Sequence, residues 1–392
     1  MLKIAVVTAY FPSSLAPTDG RFAYQTLKIL SRQFDVRVFY PHGGYPSLLK
    51  NHKSHAAVFD KTFSVAGVKA TYYQYPAVPW LSRPLNGTMA ARAVLPHIRR
   101  FAPDLIFSFF LYPSGYAALQ IAKTLSVPVV AVAVGSDVHR TPGGLSKLYT
   151  RKVLREADFL VTVSEDLRLR AVKMGARPAS SRTIYSGCDL TVFHPRDRQE
   201  ARQKLKIDPV AQAIVYVGRI DLRKGLRELV EASALMHSSL PNLHTYLVGD
   251  GPDKPAIESL ILTRDAGTYV HIVPGCSFND VALWMAAADL VTLPSYMEGC
   301  PNVVLEALAC GRPVVATSVG GIPEILNDEC GQLIPPRDSN ALANAVASVL
   351  DKHWASAAIA THWGRGWETC AQEFVEIFET ILSGRAGKTK PA

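Results

Sequence analysis

The sequence carries no recognisable metal-binding signature. Its six cysteines (Cys188, Cys276, Cys300, Cys310, Cys330 and Cys370) form no CxxC pair and no Cys/His cluster at ligand spacing. All lie in the second half and read as free, mostly buried thiols. An Asp-x-Asp motif is also missing, so no metal is expected as a cofactor. No apolar run approaches the roughly 18 residues that span a bilayer. The strongest, Val127 to Gly135, is short, β-branched and bounded by Pro and Gly, which suits a buried strand. The opening stretch MLKIAVVTAYFP has one lysine and no small-residue cleavage site. It reads as a first strand rather than a signal peptide, and a cytoplasmic location is expected. Tandem repeats are lacking too.

With 48% hydrophobic and 19% charged residues, the composition is that of a well-packed globular protein. At 392 residues the chain is too long for one ordinary core, so two domains are expected. Acidic residues are scarce in the first half. Residues 1–206 hold 29 Lys/Arg against 12 Asp/Glu (+17), and residues 207–392 hold 13 against 21 (−8), which together give the net +9. The asymmetry suggests that the N-terminal half faces an anionic partner: nucleic acid, an anionic membrane surface or a phosphorylated substrate. An ordinary solvated basic face gives the same count.

Apolar runs alternate with helical spacing throughout. In the first half Lys3–Thr8, Asp35–Tyr40, Asp104–Phe110, Val127–Val134 and Phe159–Val163 read as strands, with helices between them. This βαβ rhythm predicts a parallel, doubly wound sheet, whose ligands sit beyond the carboxyl ends of the strands. A loop from Tyr10 to Arg21 ends at Gly20, whose amides would approach a phosphate if it is more than a connection. Asp137 and His139 follow the strand ending at Val134. They suit hydrogen bonding to a hydroxylated substrate or proton transfer, or else a helix cap and a surface histidine. From Tyr72 to Phe101, Tyr72, Tyr73, Tyr75 and Trp80 precede Arg83, Arg92, Arg99 and Arg100. That texture fits a peripheral membrane contact, or a core helix interrupted at Pro96.

Turn formers from Thr183 to Pro195 place the linker, with domains at 1–190 and 191–366. Five more strands, beginning at Ala213, His244, Val270, Leu290 and Val314, end in Gly- or Pro-rich loops along one edge. Pro294–Ile325 concentrates the polar chemistry there. Glu298 lies in a loop and Glu306 eight residues on in a helix, with Pro301 at the expected first helical position. The free amides near Asn302 and Val303 form an anion site. Arg219 and Lys224 reach the same edge, and two fixed cations beside helix amides suit a diphosphate.

The combination of Gly218-Arg219, Lys224-Gly225, Gly249-Asp250-Gly251, Gly275, Pro294-Ser295 and Glu298-Gly299-x-x-Asn302-x-x-x-Glu306-Ala307 resembles retaining glycosyltransferases of family four. The following Gly311-x-Pro313-Val314-Val315-Ala316, Gly320-Gly321 and Pro323-Glu324 extend the resemblance. The N-terminal half, with YFPSS, DGRFAYQ and the GSDV turn, is most similar to members that build bacterial surface polysaccharides such as teichuronic acid. The resemblance implies an α/β GT-B fold: two Rossmann-like, doubly wound domains facing each other across a cleft, with the helix 367–384 crossing back to the first. It implies that Arg219 and Lys224 grip a nucleotide-sugar diphosphate and that Glu306 binds the ribose. Glu298 would contact the transferred sugar, the amides of Asn302 and Val303 the sugar or phosphate, and Gly20 would close the phosphate site. Many members carry a histidine where this chain has Val134.

The sequence therefore points to a metal-independent, retaining hexosyltransferase acting on a lipid-linked or polysaccharide acceptor at the inner face of the cell membrane. A nucleotide-sugar epimerase on the same fold is the nearest rival. A nucleic-acid-binding protein is motivated by the basic half, but no nucleic-acid-binding motif accompanies it.

Overall fold

The strand-forming runs do become strands, and every ladder they form is parallel. The structure is a computed structural model and describes residues 1–14, 16, 19–44, 60, 62–78, 82–139 and 143–386. It divides into two units, one of residues 1–186 with 367–392 and one of Gly187–Gly366.

The first unit holds β1 (Lys3–Val7), β2 (Asp35–Gly44), β3 (Lys69–Pro76), β4 (Leu105–Phe109), β5 (Val129–Ala133), β6 (Phe159–Thr162) and β7 (Ser181–Thr183). Their order is β3-β2-β1-β4-β5-β6-β7. The order reverses between β1 and β4, and loops leaving those strands diverge and open a crevice at their carboxyl ends. All residues of β4 and β5 are buried, as expected of strands covered by helices on both faces. The final helix, Trp367–Ala386, belongs to this unit and packs on the helix Arg21–Leu30. Phe374 is fully buried there, its ring 5.2 Å from Phe107 and 6.5 Å from Phe22.

The second unit repeats the plan with β8 (Gln212–Val217), β9 (Leu243–Val248), β10 (Val270–Val273), β11 (Leu290–Leu293), β12 (Val314–Thr317) and β13 (Gly331–Ile334). Their order is β10-β9-β8-β11-β12-β13, which reverses between β8 and β11. The loops after those two strands carry the candidate chemistry.

Two expectations need correction. The tyrosines of the Tyr72–Phe101 stretch are not a membrane-facing cluster. They lie on β3, an edge strand that the sequence reading did not recognise. Tyr72 and Tyr75 are only 3% and 6% exposed, and the Tyr72 hydroxyl donates to the Pro12 carbonyl at 2.7 Å. Nor does Pro96 end a helix, since Asn86–Phe101 runs through it and leaves Arg92, Arg99 and Arg100 on its exposed side. Trp80 lies outside the described residues, as does the basic end of the chain from 387 onward. Among the described residues no helix is long and apolar enough to cross a membrane.

The units also redistribute the charge. Residues 1–186 with 367–392 hold 27 Lys/Arg and 13 Asp/Glu (+14), while 187–366 hold 15 and 20 (−5). Several arginines that follow the linker fold with the second unit.

Because Phe374 joins the last helix to the core of a distant unit in sequence, Phe374→Ala should lower stability by about 3–5 kcal/mol. Denaturant unfolding checks this, with the loss expected in the first unit.

Candidate active site

After β8 the chain turns at Gly218-Arg219. Tyr216, fully buried on that strand, turns its hydroxyl back to donate to the Arg219 carbonyl at 2.8 Å. Burial, with Glu298 and Asp221 adding to it, pushes the Tyr216 phenol far above its ordinary value, so it remains a donor. The Arg219 side chain stands exposed on the lip. Asp221 then accepts the Arg223 amide at 3.0 Å and starts the short turn Leu222–Lys224. Gly225 closes that turn with φ 70°, and a Cβ there would sit 2.0 Å from the Pro294 carbonyl oxygen. Only glycine allows the loop after β8 to lie this close to the loop after β11. The Tyr296 amide completes the join by donating to the Arg223 carbonyl at 2.9 Å.

This join brings Lys224 to Glu298. The Lys224 Nζ donates to Glu298 Oε1 at 2.6 Å, across a sequence separation of 74 residues. Glu298 is the more enclosed partner, with its side chain 11% exposed against 32% for Lys224. Its backbone is gripped from the other side. The Gly321 amide donates to the Gly299 carbonyl at 2.8 Å, and a Cβ on Gly320 (φ 54°) would lie 1.9 Å from the Glu298 carbonyl oxygen. Below this loop Ser295 is fully buried, its carbonyl accepts the Thr317 hydroxyl, and its own Oγ has no hydrogen-bond partner among the described residues.

The helix Asn302–Ala309 follows. Pro301 is its N-cap, in extended conformation, rather than its first helical residue. The missing proline N–H is still harmless, and among the described residues no side chain caps the helix start. The amides of Asn302 and Val303 therefore begin the helix at its positive end, a few residues after Glu298 in the chain. Glu306 lies further along the same helix and is 7% exposed.

Two supports escaped the sequence reading. Tyr296 donates to both oxygens of Glu228 at 2.7 and 2.8 Å, and the Arg337 guanidinium lies 4.7 Å from its ring centroid. Burial first, then the Glu228 carboxylate, pushes the Tyr296 phenol up to about 12. Nothing in the spacing of these residues announces the contact, because Glu228 and Tyr296 are 68 apart.

The remaining candidates belong to the first unit. Gly20 takes a left-handed conformation as the N-cap of Arg21–Leu30, where a Cβ would meet the Phe11 backbone at 2.6 Å. Asp137 is buried, and its carboxylate accepts amides from Gly135 at 2.9 Å and from Val134 and Leu111 at 3.1 Å each. It ties the strand ends of β4 and β5 together. Burial outweighs these bonds and raises its pKa. The His139 side chain is 7% exposed, not a surface group, with Nε2 3.8 Å from Asp166. Tyr10, at the end of β1, lies near Asp19 and Asp137; burial first, then those carboxylates, pushes its phenol up to about 12.

Both halves of the chain match known protein families. The sequence model for "Glycosyl transferases group 1" matches residues 211–352, and that for "Glycosyl transferase 4-like domain" matches 20–187. A Bacillus subtilis protein named for teichuronic acid biosynthesis, the glycosyltransferase TuaC, is 31% identical over 88% of each chain. Sucrose-phosphate synthase of Thermosynechococcus elongatus superposes with a TM-score of 0.80 at 22% identity, covering 98% of this chain and all of that one. HepE of Anabaena, solved in complex with UDP, gives 0.75 at 19% identity over 97% and 100%. These likenesses identify the fold as GT-B, built of two Rossmann-like units.

The Gly320 contact makes a direct test of how Glu298 is positioned. Gly320→Ala forces the Glu298 backbone aside and should destabilise the second unit by about 1–3 kcal/mol. Thermal unfolding checks the stability, and an unaltered melting temperature would contradict the packing described.

Proposed function

The chain belongs to the group 1 glycosyltransferases, and we propose that it moves a hexose, with retention, from a nucleoside-diphosphate sugar to a lipid-linked or polysaccharide acceptor. The observation that carries this reading is the Lys224–Glu298 pair beside the start of Asn302–Ala309. Lysine has three donor hydrogens. One serves Glu298, and two remain for oxygens of a diphosphate. Arg219 adds a second fixed cation, and the Asn302 and Val303 amides add a helix dipole.

Together these groups stabilise the negative charge that grows on the departing diphosphate. They do the work a metal ion does in other transferases, and catalysis is proposed to be metal-independent. Glu298 accepts hydrogen bonds from hydroxyls of the transferred sugar, and Glu306 does the same for the ribose. Neither is assigned as a general acid or base. The ion pair couples the two tasks, because the cation that holds the leaving group also orients the carboxylate that holds the sugar.

Acceptor recognition is assigned to the first unit, at the carboxyl edge of its sheet, where Asp137 braces the strand ends and His139 packs beside Asp166. A basic surface with exposed leucines is also found there. Leu85, Leu145 and Leu148 are 54%, 50% and 56% exposed, and the turn Arg83–Leu85 packs against the helix Leu145–Glu156. Arg83, Lys147 and Arg151 are exposed on the same elements. Apolar side chains among cations suit an anionic membrane surface. A cytoplasmic enzyme docked in this way meets a lipid-linked acceptor in the plane of the membrane.

Arg219→Ala and Lys224→Ala should each weaken nucleotide-sugar binding roughly tenfold to a hundredfold. Glu298→Gln should mainly lower kcat. Calorimetry against a panel that includes UDP-glucose, followed by steady-state rates, decides; unchanged constants in all three variants reject the assignment. Turnover should survive EDTA, and product formed from the nucleotide sugar alone would indicate an epimerase instead. In flotation, the protein should rise with phosphatidylglycerol vesicles at low salt and not with phosphatidylcholine. Leu85→Ser with Leu148→Ser should abolish that.

A further inference from the structure

A second polar cluster of the Gly187–Gly366 unit lies at the opposite end of its sheet. Gln212 opens β8, Asp289 precedes β11 and Pro313 precedes β12. With the start of the helix Arg198–Leu205 and the end of the helix Ser339–Asp351, they enclose a cavity of about 430 Å³. The length of β11, about 13 Å for its four residues, separates this cavity from the loop that carries Glu298.

Its lining contains four fixed cations, Arg196, Arg198, Arg312 and Lys352, against two carboxylates, Asp197 and Asp289. Both acids are already committed. Asp197 caps its helix by accepting the Glu200 amide at 2.7 Å. Asp289 pairs with Arg198 and with Arg202 behind the lining, at 2.6 Å each, and also accepts the Ala213 amide. Arg312 and Arg196 form no carboxylate pair among the described residues.

Arg312 is the decisive member. It is 8% exposed, and the bond recorded for its guanidinium is a long one, 3.4 Å from Nη2 to the Arg196 carbonyl. Among the described residues its enclosed Nε has no hydrogen-bond partner, and neither has the Nε of Arg196. Burial, followed by the neighbouring Arg198, holds the Arg312 pKa below the ordinary arginine value. A buried guanidinium that shares the Asp289 carboxylate with Arg198 and Arg202 is incompletely compensated, and an anion in the cavity would offset that cost. Guanidinium forks match the geometry of phosphate oxygens.

We propose that this cavity is an oxyanion site for a phosphoryl group, separate from the donor site, in which Arg312 and Arg196 hold the anion and Arg198 guards the rim. A phosphate dianion would balance the surplus of two positive charges in the lining. The cavity has room for a phosphate monoester as well as for the free ion, and a phospholipid headgroup presents the same chemistry.

The test uses the full chain carrying Arg219→Ala and Lys224→Ala, so that phosphate bound at the donor loops does not contribute. Inorganic phosphate, glycerol 3-phosphate, and phosphatidic acid against phosphatidylcholine vesicles are compared by calorimetry and thermal shift. At least one phosphate source should bind and raise the melting temperature. Response to the soluble species identifies a free phosphate or monoester, and response to phosphatidic acid vesicles alone, in a chain that also carries Leu85→Ser and Leu148→Ser, identifies a headgroup. Adding Arg312→Gln should weaken binding roughly tenfold to a hundredfold. Arg198→Gln, at an exposed position, should weaken it several-fold and decides the matter if Arg312→Gln does not fold. Binding by none of the probes, or binding unchanged by these substitutions, overturns the proposal.

Discussion

Lys224 and Glu298 meet because two loops of one sheet are forced together at its reversal point. The strand order runs outward in both directions from β8 and β11, so the loops leaving these strands have neighbouring origins and opposite destinations. Their approach depends on Gly225, which has no Cβ to strike the Pro294 carbonyl, and on Gly320, which has none to strike that of Glu298. The ion pair is the consequence of this backbone packing. By itself a pair as accessible as Lys224 contributes little to stability, on the order of 1 kcal/mol or less. Its value lies in placing a cation and a carboxylate side by side at a helix start.

The same logic explains the buried tyrosines around the site. Tyr216 and Tyr296 use their rings as core and their hydroxyls as props, one under the Arg219 carbonyl and one on Glu228. Both phenols remain protonated near neutral pH, since burial penalises the phenolate. A loop braced by such groups is already held in place, so less ordering would be needed on binding a ligand there. In the first unit Asp137 plays a comparable part, gathering three amides from two strand ends.

Much of the fold was legible because its strands are buried on both faces and read as apolar runs. Three of the four edge strands, β3, β7 and β13, were not, whereas the edge strand β10 was. β3 carries adjacent tyrosines, Tyr72 and Tyr73, that break a strict alternation, β7 is three residues long, and β13 begins at a glycine. Short or half-exposed segments give too weak a period to separate from loops. The glycine and proline positions were informative for a different reason. A residue needed for its lack of a side chain leaves a mark in the sequence even when its partner is 70 positions away.

From the sequence alone follow the βα rhythm, the two domains, and the delivery of Arg219, Lys224, Glu298 and Glu306 to one edge. These depend on local spacing, which the order of residues contains. Tertiary structure decided which of them touch. It paired Lys224 with Glu298, committed Asp137 to backbone amides and put Tyr72 into the core. It also brought Arg196 and Arg312, 116 positions apart, to one cavity of the second unit. Such contacts join residues far apart in the chain, and their energies depend on burial and distance. Neither quantity exists until the sheet has formed.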